Sequence, residues 1–350
     1  YCVLCKVFDL TVKMRKLSPT APQRSWENPE IIEMAERMQA QGIAPNLFLV
    51  GAQKCGTTTL ASLLTEHPDV FFSRIKEPNF LGFDVRPADF VGDFKKLHIE
   101  DENAALKRSC TEDVLYAYIE NPAIYQALFE GSSQFSIRAE GSVTYLFSSE
   151  APSAIATLFP SSKILVILRD PVKRAISNYR MQFQAGVETE PDVFKAIMND
   201  HAKASYTWGT KHFYVESGRY ADQLVSYFDL FPKSQIHIAF FEELFGKKDE
   251  VAIANLAAFL GLDEFKPEED AQKNASLKPR NAVINKLLFK SGLKRQIQRY
   301  VPKSLKDFGK TLFYEEGSSR LDQGEMEQLQ DLFQSDREKL ENLLGRPAPW

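Results

Sequence analysis

Four cysteines in 350 residues, Cys2, Cys5, Cys55 and Cys110, are too few and too scattered for a disulfide framework. Cys2 and Cys5 form a C-x-x-C, but no second pair of cysteines or histidines follows at metal spacing, so a chance pair is the better reading and no metal is expected. Every apolar run is too short to cross a bilayer, and no secretory signal pattern is present. Surplus positive charge is missing as well. The formal net charge is −4, which excludes a general nucleic-acid binder and leaves basic residues to act locally, at an anion site. There is no repeat and no low-complexity segment. The single sequon, Asn274-Ala275-Ser276, is what chance supplies.

What is present is a core. Apolar residues make up 44% of the chain, enough for one large α/β domain with insertions or for two smaller domains. The chain is organised around Asn46 to Glu66, NLFLVGAQKCGTTTLASLLTE. Leu47–Val50 reads as a buried strand. Gly51 and Gly56 bracket a tight loop, and Thr57 opens a helix with Leu60, Leu63 and Leu64 on one face. Strand, glycine loop and helix N-terminus together cradle an anion: the free amides of the first turn point at it and the helix dipole favours it. Cys55, Gly56 and the hydroxyls of Thr57, Thr58 and Thr59 belong to that cradle. A Walker A loop would carry lysine directly after its second glycine. Here Thr57 stands there and Lys54 lies two residues before Gly56. The second motif is ILVILRDPVKRAISNY, a strand over Lys163–Leu168 with Arg169 at its tip and Asp170-Pro171 opening a helix. Arginine before Asp170 suits a phosphate better than a metal, which argues against an ATP-dependent kinase. Arg174, Ser177, Asn178 and Met181 follow i, i+3, i+4, i+7 spacing on that helix.

GAQKCGTTTL followed by ILVILRDPVKRAISNY resembles the sulfotransferases that use 3′-phosphoadenosine-5′-phosphosulfate (PAPS), with the closest look to bacterial members and the heparan-sulfate branch. The resemblance runs from about Pro45 to the C-terminus. It implies an α/β fold, a central mainly parallel sheet flanked by helices, related to the P-loop NTPases. It also implies that the loop with Lys54 holds the 5′-phosphosulfate, that Arg169 and Ser177 hold the 3′-phosphate, and that Lys278 and Arg280 in NASLKPRN close over it. Within a segment that resembles the family's K-E-x-x-F-F, Glu77 is the first candidate base for the acceptor, with Phe80-Leu81 a mild departure. Glu140, in EGSVTYLF, is the second, and His67 a weaker third. Some carbohydrate-modifying members carry lysine after that glutamate; Gly141 stands here.

Elsewhere the sequence reads as follows. Residues 1–44 form an N-terminal extension with a helix over Asn28–Gln41, started near Pro29 and stopped by Gly42. Residues 45–350 form the sulfotransferase domain, with 83–130 and a helical, aromatic 183–216 as insertions over the acceptor. Short strands are expected at Val70–Phe72, Ser136–Glu140 and Ile236–Phe241, a loop at 73–84, and helices at Asn121–Phe129, Val251–Leu260 and about Asp322–Leu344. Lys286–Lys310 is locally basic. The expected reaction is metal-independent, in-line transfer of a sulfuryl group to a hydroxyl or amine, most plausibly on a carbohydrate, with lipids, small metabolites and carrier-bound chains as alternatives. A non-catalytic nucleotide-binding module is the non-enzyme alternative. No nucleic acid partner is expected. The chain starts at Tyr1, leaving room for an upstream piece; a cytoplasmic location is expected, or a Golgi-lumenal one if such a piece exists.

Overall fold

The computed structural model describes residues 25–98, 101–263, 277–279, 314–316 and 321–350. Its centre is a five-stranded, wholly parallel sheet of β1 (Leu47–Gly51), β2 (Val70–Phe72), β5 (Ile137–Glu140), β6 (Lys163–Leu168) and β7 (Ile236–Phe240), in the order β2-β5-β1-β6-β7. A parallel sheet is covered on both faces, so its inner strands read as continuous apolar runs. All five residues of β1 and Ile164–Leu168 of β6 are buried accordingly. In register, Leu47 lies between Ala139 of β5 and Lys163 of β6. The chain leaves β1 toward β5 and β2 on one side and returns on the other with β6 and β7. This reversal of strand order opens a crevice at the carboxyl ends of the strands, where ligands of open α/β sheets bind.

Helices surround the sheet: α1 (Pro29–Ala40), α2 (Thr57–Thr65), α3 (Gly92–His98), α4 (Glu102–Arg108), α5 (Pro122–Ala127), α6 (Thr144–Phe147), α7 (Ala151–Leu158), α8 (Pro171–Ala185), α9 (Val193–Ala202), α10 (Tyr220–Leu230), α11 (Glu250–Leu260) and α12 (Gln323–Leu344). Among the described residues no helix is long and apolar enough to cross a membrane. Asn28 caps α1 by accepting from the Glu30 amide at 3.0 Å. The apolar face of α1, with Ile31, Met34 and Met38, joins the same core as the sheet. Asp322 and Glu325 form a capping box that starts α12, and Gly345 in the left-handed region ends it. Leu329 and Phe333 of α12 pack in one cluster with Val172 and Tyr179 of α8.

Two stretches depart from the sequence expectation. The expected loop at 73–84 contains β3 (Ile75–Glu77), which pairs in parallel with β4 (Val114–Tyr116). A three-residue strand whose partner lies some forty positions away has no local signature. The expected helical stretch 183–216 is helical only at the end of α8 and in α9. After α9 the chain runs irregularly to Glu216, because the buried carboxylate of Asp200 accepts from the amides of His212 (2.7 Å) and Tyr214 (3.3 Å) in place of helical carbonyls.

Candidate active site

The loop after β1 turns back on itself through Lys54 (φ 69°) and Gly56 (φ 94°). At Gly56 a Cβ would lie 2.8 Å from the Phe241 ring, so glycine is required by space as well as by backbone. Gly56 opens α2 without any side-chain cap, and among the described residues no carbonyl accepts from the amides of Gly56, Thr57, Thr58 or Thr59. Four donors at a helix start therefore converge on one place. Cys55 does not join them. Its amide donates to the Ala52 carbonyl at 3.1 Å, and its thiol is buried against the Tyr220 hydroxyl at 3.5 Å. Burial pushes that thiol up to about 11, the opposite of the activation a helix start and Lys54 would give, and Cys55 shapes the turn instead of contacting a ligand.

Cations crowd the same crevice. The Lys54 ammonium lies 3.6 Å from Met181 Sδ on α8. Burial and then the Arg169 guanidinium hold its proton affinity below the ordinary lysine range, while Glu77 works in the other direction. Arg169 donates from Nη1 to the Lys54 carbonyl at 3.4 Å and lies 4.4 Å over the ring of Phe241. Ser177, partly buried, sits two turns into α8, whose start is capped by Asp170 accepting from the amides of Val172 and Lys173. Sequence reading missed Arg180, three residues beyond Ser177 and so its neighbour on the helix surface. Burial, followed by repulsion from Arg169, lowers its proton affinity. The buried Nε atoms of both arginines have no hydrogen-bond partner. The spacing after Ser177 was the available signal for it. Arg174, from the same helical row, is fully buried instead and donates to the Tyr214 carbonyl. β8 (Leu277–Pro279), which carries Lys278, runs beside α8 and pairs antiparallel with β9 (Tyr314–Glu316). Arg280 and the basic stretch 286–310 lie outside the described residues.

The carboxylates separate clearly. Glu77, at the end of β3, is paired with Lys76 at 2.6 Å, and Lys76 also donates to the Gly141 carbonyl at 3.3 Å. The charge of Glu77 reaches Lys54. Glu140 is wholly buried, accepting from the Tyr125 hydroxyl at 2.5 Å and the Ser142 hydroxyl at 2.8 Å. Burial pushes it up to about 7 against those hydrogen bonds. Glu140 thus has no exposed face, unlike Glu77, and its hydrogen bonds tie down the chain after β5. His67 accepts from the Asp69 amide at 3.2 Å and holds the turn after α2.

A small notch adjoins the loop, lined by Gln53, Thr144, Leu146, Phe147 and Trp208 among others. Gln53, immediately before Lys54, was not singled out by sequence, where it looks like any loop amide.

The sequence profile of the sulfotransferase family matches residues 45–267. Bifunctional heparan sulfate N-deacetylase/N-sulfotransferase 1 of Caenorhabditis briggsae is 24% identical over 228 residues, spanning 63% of this chain and 23% of the relative. Human heparan sulfate glucosamine 3-O-sulfotransferase 6 is 29% identical over 192 residues, spanning 54% of this chain and 44% of the relative. The chain thus spans less than half the length of either of these curated relatives. Among solved structures, a sulfotransferase from Alicyclobacillus acidocaldarius matches with a TM-score of 0.60 at 25% identity, over 87% of this chain and 97% of that one. An anion loop with lysine before its second glycine, an arginine at the tip of the neighbouring strand and a profile match across most of the chain lead to one conclusion: the chain belongs to the sulfotransferase family.

Proposed function

We propose that the protein transfers a sulfuryl group from PAPS to a hydroxyl or amine. The observation that carries this reading is the convergence of Lys54, Arg169 and Arg180 on the crevice, none of them ion-paired with a carboxylate among the described residues. Same-sign charges brought together without counter-charge are costly unless an anion joins them. Two anionic groups fit. The 5′-phosphosulfate suits Lys54 and the amides of Gly56 to Thr59. The 3′-phosphate suits Arg169, Ser177 and Arg180, because an arginine fork pairs bidentately with phosphate. Lys278 and Arg280 are proposed to close over that phosphate.

PAPS supplies an activated sulfur–oxygen bond. Lys54 Nζ and the loop amides would donate to the negative charge that grows on the leaving oxygen and the sulfonate oxygens, which is where preorganised donors act. Glu77, oriented by Lys76, takes the acceptor proton. The names of the relatives make a glycan the first acceptor class to try; insertions 83–130 and 183–216 are proposed to shape the acceptor side.

Titration calorimetry with 3′-phosphoadenosine-5′-phosphate (PAP), AMP and ADP–Mg²⁺ tests the donor. PAP should bind at least about tenfold tighter than AMP, equivalent to about 1.4 kcal/mol from the 3′-phosphate, and Arg169→Ala should erase that preference. Tight ADP–Mg²⁺ binding without preference for PAP would overturn the proposal in favour of a kinase.

A further inference from the structure

Arg169 is aimed by its backbone more than by its head group. Among the described residues the guanidinium makes one hydrogen bond, from Nη1 to the Lys54 carbonyl at 3.4 Å, and its buried Nε has no partner. The Phe241 ring lies 4.4 Å away, a contact that gives the guanidinium a face to rest on without fixing its direction. A long side chain held so lightly keeps several rotamers, and each must be given up when a phosphate binds. What narrows the choice is the main chain from which the side chain leaves.

That main chain is pinned at both ends of one peptide group. β6 ends at Leu168, whose register partner is Phe240 of β7, so the peptide joining Arg169 to Asp170 lies beyond the strand pairing. Its carbonyl accepts from the Tyr220 hydroxyl at 2.8 Å. Its amide, that of Asp170, donates to Glu242 Oε1 at 3.2 Å. The two holders come from different elements: Tyr220 opens α10, and Glu242 lies just past β7. A planar peptide held at both oxygen and nitrogen cannot turn without breaking one of the two bonds, which fixes the backbone on either side of it.

The holders are themselves fixed. Tyr220 is buried, and burial pushes its hydroxyl well above the ordinary phenol range, so it stays a donor. Its one proton serves the Arg169 carbonyl, which leaves the oxygen to accept from the Cys55 thiol at 3.5 Å. A thiol is a weak donor, so this link to the anion loop is the minor of the two. At the start of α10 the buried Asp336 carboxylate of α12 accepts from the Ala221 amide at 3.3 Å, and the Tyr220 ring meets Trp350 edge-on at 6.3 Å. Glu242 Oε2 is buried without a partner. A carboxylate oxygen left so costs stability, and the bond that Glu242 makes in return is the one to the Asp170 amide.

We propose that Tyr220 and Glu242 are positioning residues for the 3′-phosphate: they clamp the Arg169–Asp170 peptide from its two ends, aim the Arg169 fork, and so select nucleotides that carry a 3′-phosphate. This rests on the sulfotransferase reading above. Both residues act through Arg169. They bear on the choice of donor nucleotide, and leave the transfer step to Lys54, the loop amides and Glu77.

Titration calorimetry on the full chain with PAP and AMP, which differ by the 3′-phosphate, tests the clamp. Tyr220→Phe keeps the ring and removes only the hydroxyl. It should lower the preference for PAP over AMP at least about fivefold, the lower end of what an unpartnered buried carbonyl costs. AMP affinity should stay within about twofold, because the 5′ group rests on the loop amides. Glu242→Leu should lower the same preference at least about threefold, the scale of one hydrogen bond. Loss of a negative charge beside an anion site would by itself favour the anion, so a fall in preference has the sign of the lost hydrogen bond and not of the lost charge. Glu242→Gln keeps an acceptor for the Asp170 amide and should not lower the preference.

A wild type that prefers PAP, with Tyr220→Phe and Glu242→Leu preferring it equally, would overturn the clamp and leave the donor assignment standing. So would a parallel loss of PAP and AMP in Tyr220→Phe, which is what a merely structural hydroxyl gives, or a loss in Glu242→Gln equal to that in Glu242→Leu. Should Tyr220→Phe fail to fold, the Glu242 pair decides. A wild type that binds PAP no better than AMP would instead bring down the sulfotransferase reading itself, and this inference with it.

Discussion

Replacing Lys54 by methionine should move stability and activity in opposite directions. The lysine residue is partly buried, its ammonium has Met181 Sδ at 3.6 Å as its hydrogen-bond partner among the described residues, and Arg169 repels it. Folding keeps a cation where burial and a like charge both disfavour it, offset in part by Glu77. Methionine keeps most of the stem and removes the charge, so the folded state should gain on the order of 1 kcal/mol, the size of an ordinary single-site change. The pH dependence follows from the same cause. A lysine whose proton affinity is lowered by folding makes the wild type more stable as pH rises through its folded pKa toward the ordinary 10.5; the variant should lack that rise. Turnover should fall at least about a hundredfold, equivalent to about 2.7 kcal/mol, as for loss of one donor at a developing oxyanion. Denaturant melts between neutral and alkaline pH, paired with initial rates of PAPS consumption, read both. A variant that retains the wild-type rate, or one that unfolds more easily than wild type at neutral pH, would refute the reasoning.

Glu77→Gln should lower kcat by about a hundredfold to ten-thousandfold, the range for a general base, with PAP affinity nearly unchanged; a rate loss matched by an equal loss of PAP affinity would assign Glu77 to donor binding. Glu140→Gln tests the buried anchor. Its carboxyl sits at about 7 in the fold against 4.5 as its ordinary value, so between those pH values the unfolded chain releases a proton that the fold retains. Wild-type stability should therefore decline as pH rises across that window, by at most on the order of 3 kcal/mol. The glutamine variant should lack this component, its Tm gaining on wild type from pH 5 to pH 8; parallel Tm curves would show that Glu140 does not titrate there.

The sequence by itself determined the parts whose information is local. The run LFLVG needs burial on both faces, which makes a central parallel strand of it. Gly56 and the threonines after it open a helix with free amides, and Asp170-Pro171 starts the helix that carries Ser177. Lys54 and Arg169 could be named from their places at two strand ends, since adjacent parallel strands bring their carboxyl ends to one crevice.

Only the tertiary structure decided between residues whose sequence surroundings look alike. Glu77 and Glu140 are both carboxylates at strand ends. One pairs with Lys76 near Lys54, and the other is sealed behind Tyr125 and Ser142, a difference made by strand pairings and helix packing far apart in the chain. Cys55 lies within the anion loop in sequence, yet the turn that aims its neighbours at the ligand aims its thiol at Tyr220. β3 formed because residues 114–116 came to lie beside it. Trp208 likewise stacks on Phe94 and packs edge-on to Phe147 because segments more than fifty residues apart in sequence fold together. Periodicity and spacing encode which way a segment faces; which other segment it meets is set by packing the whole chain.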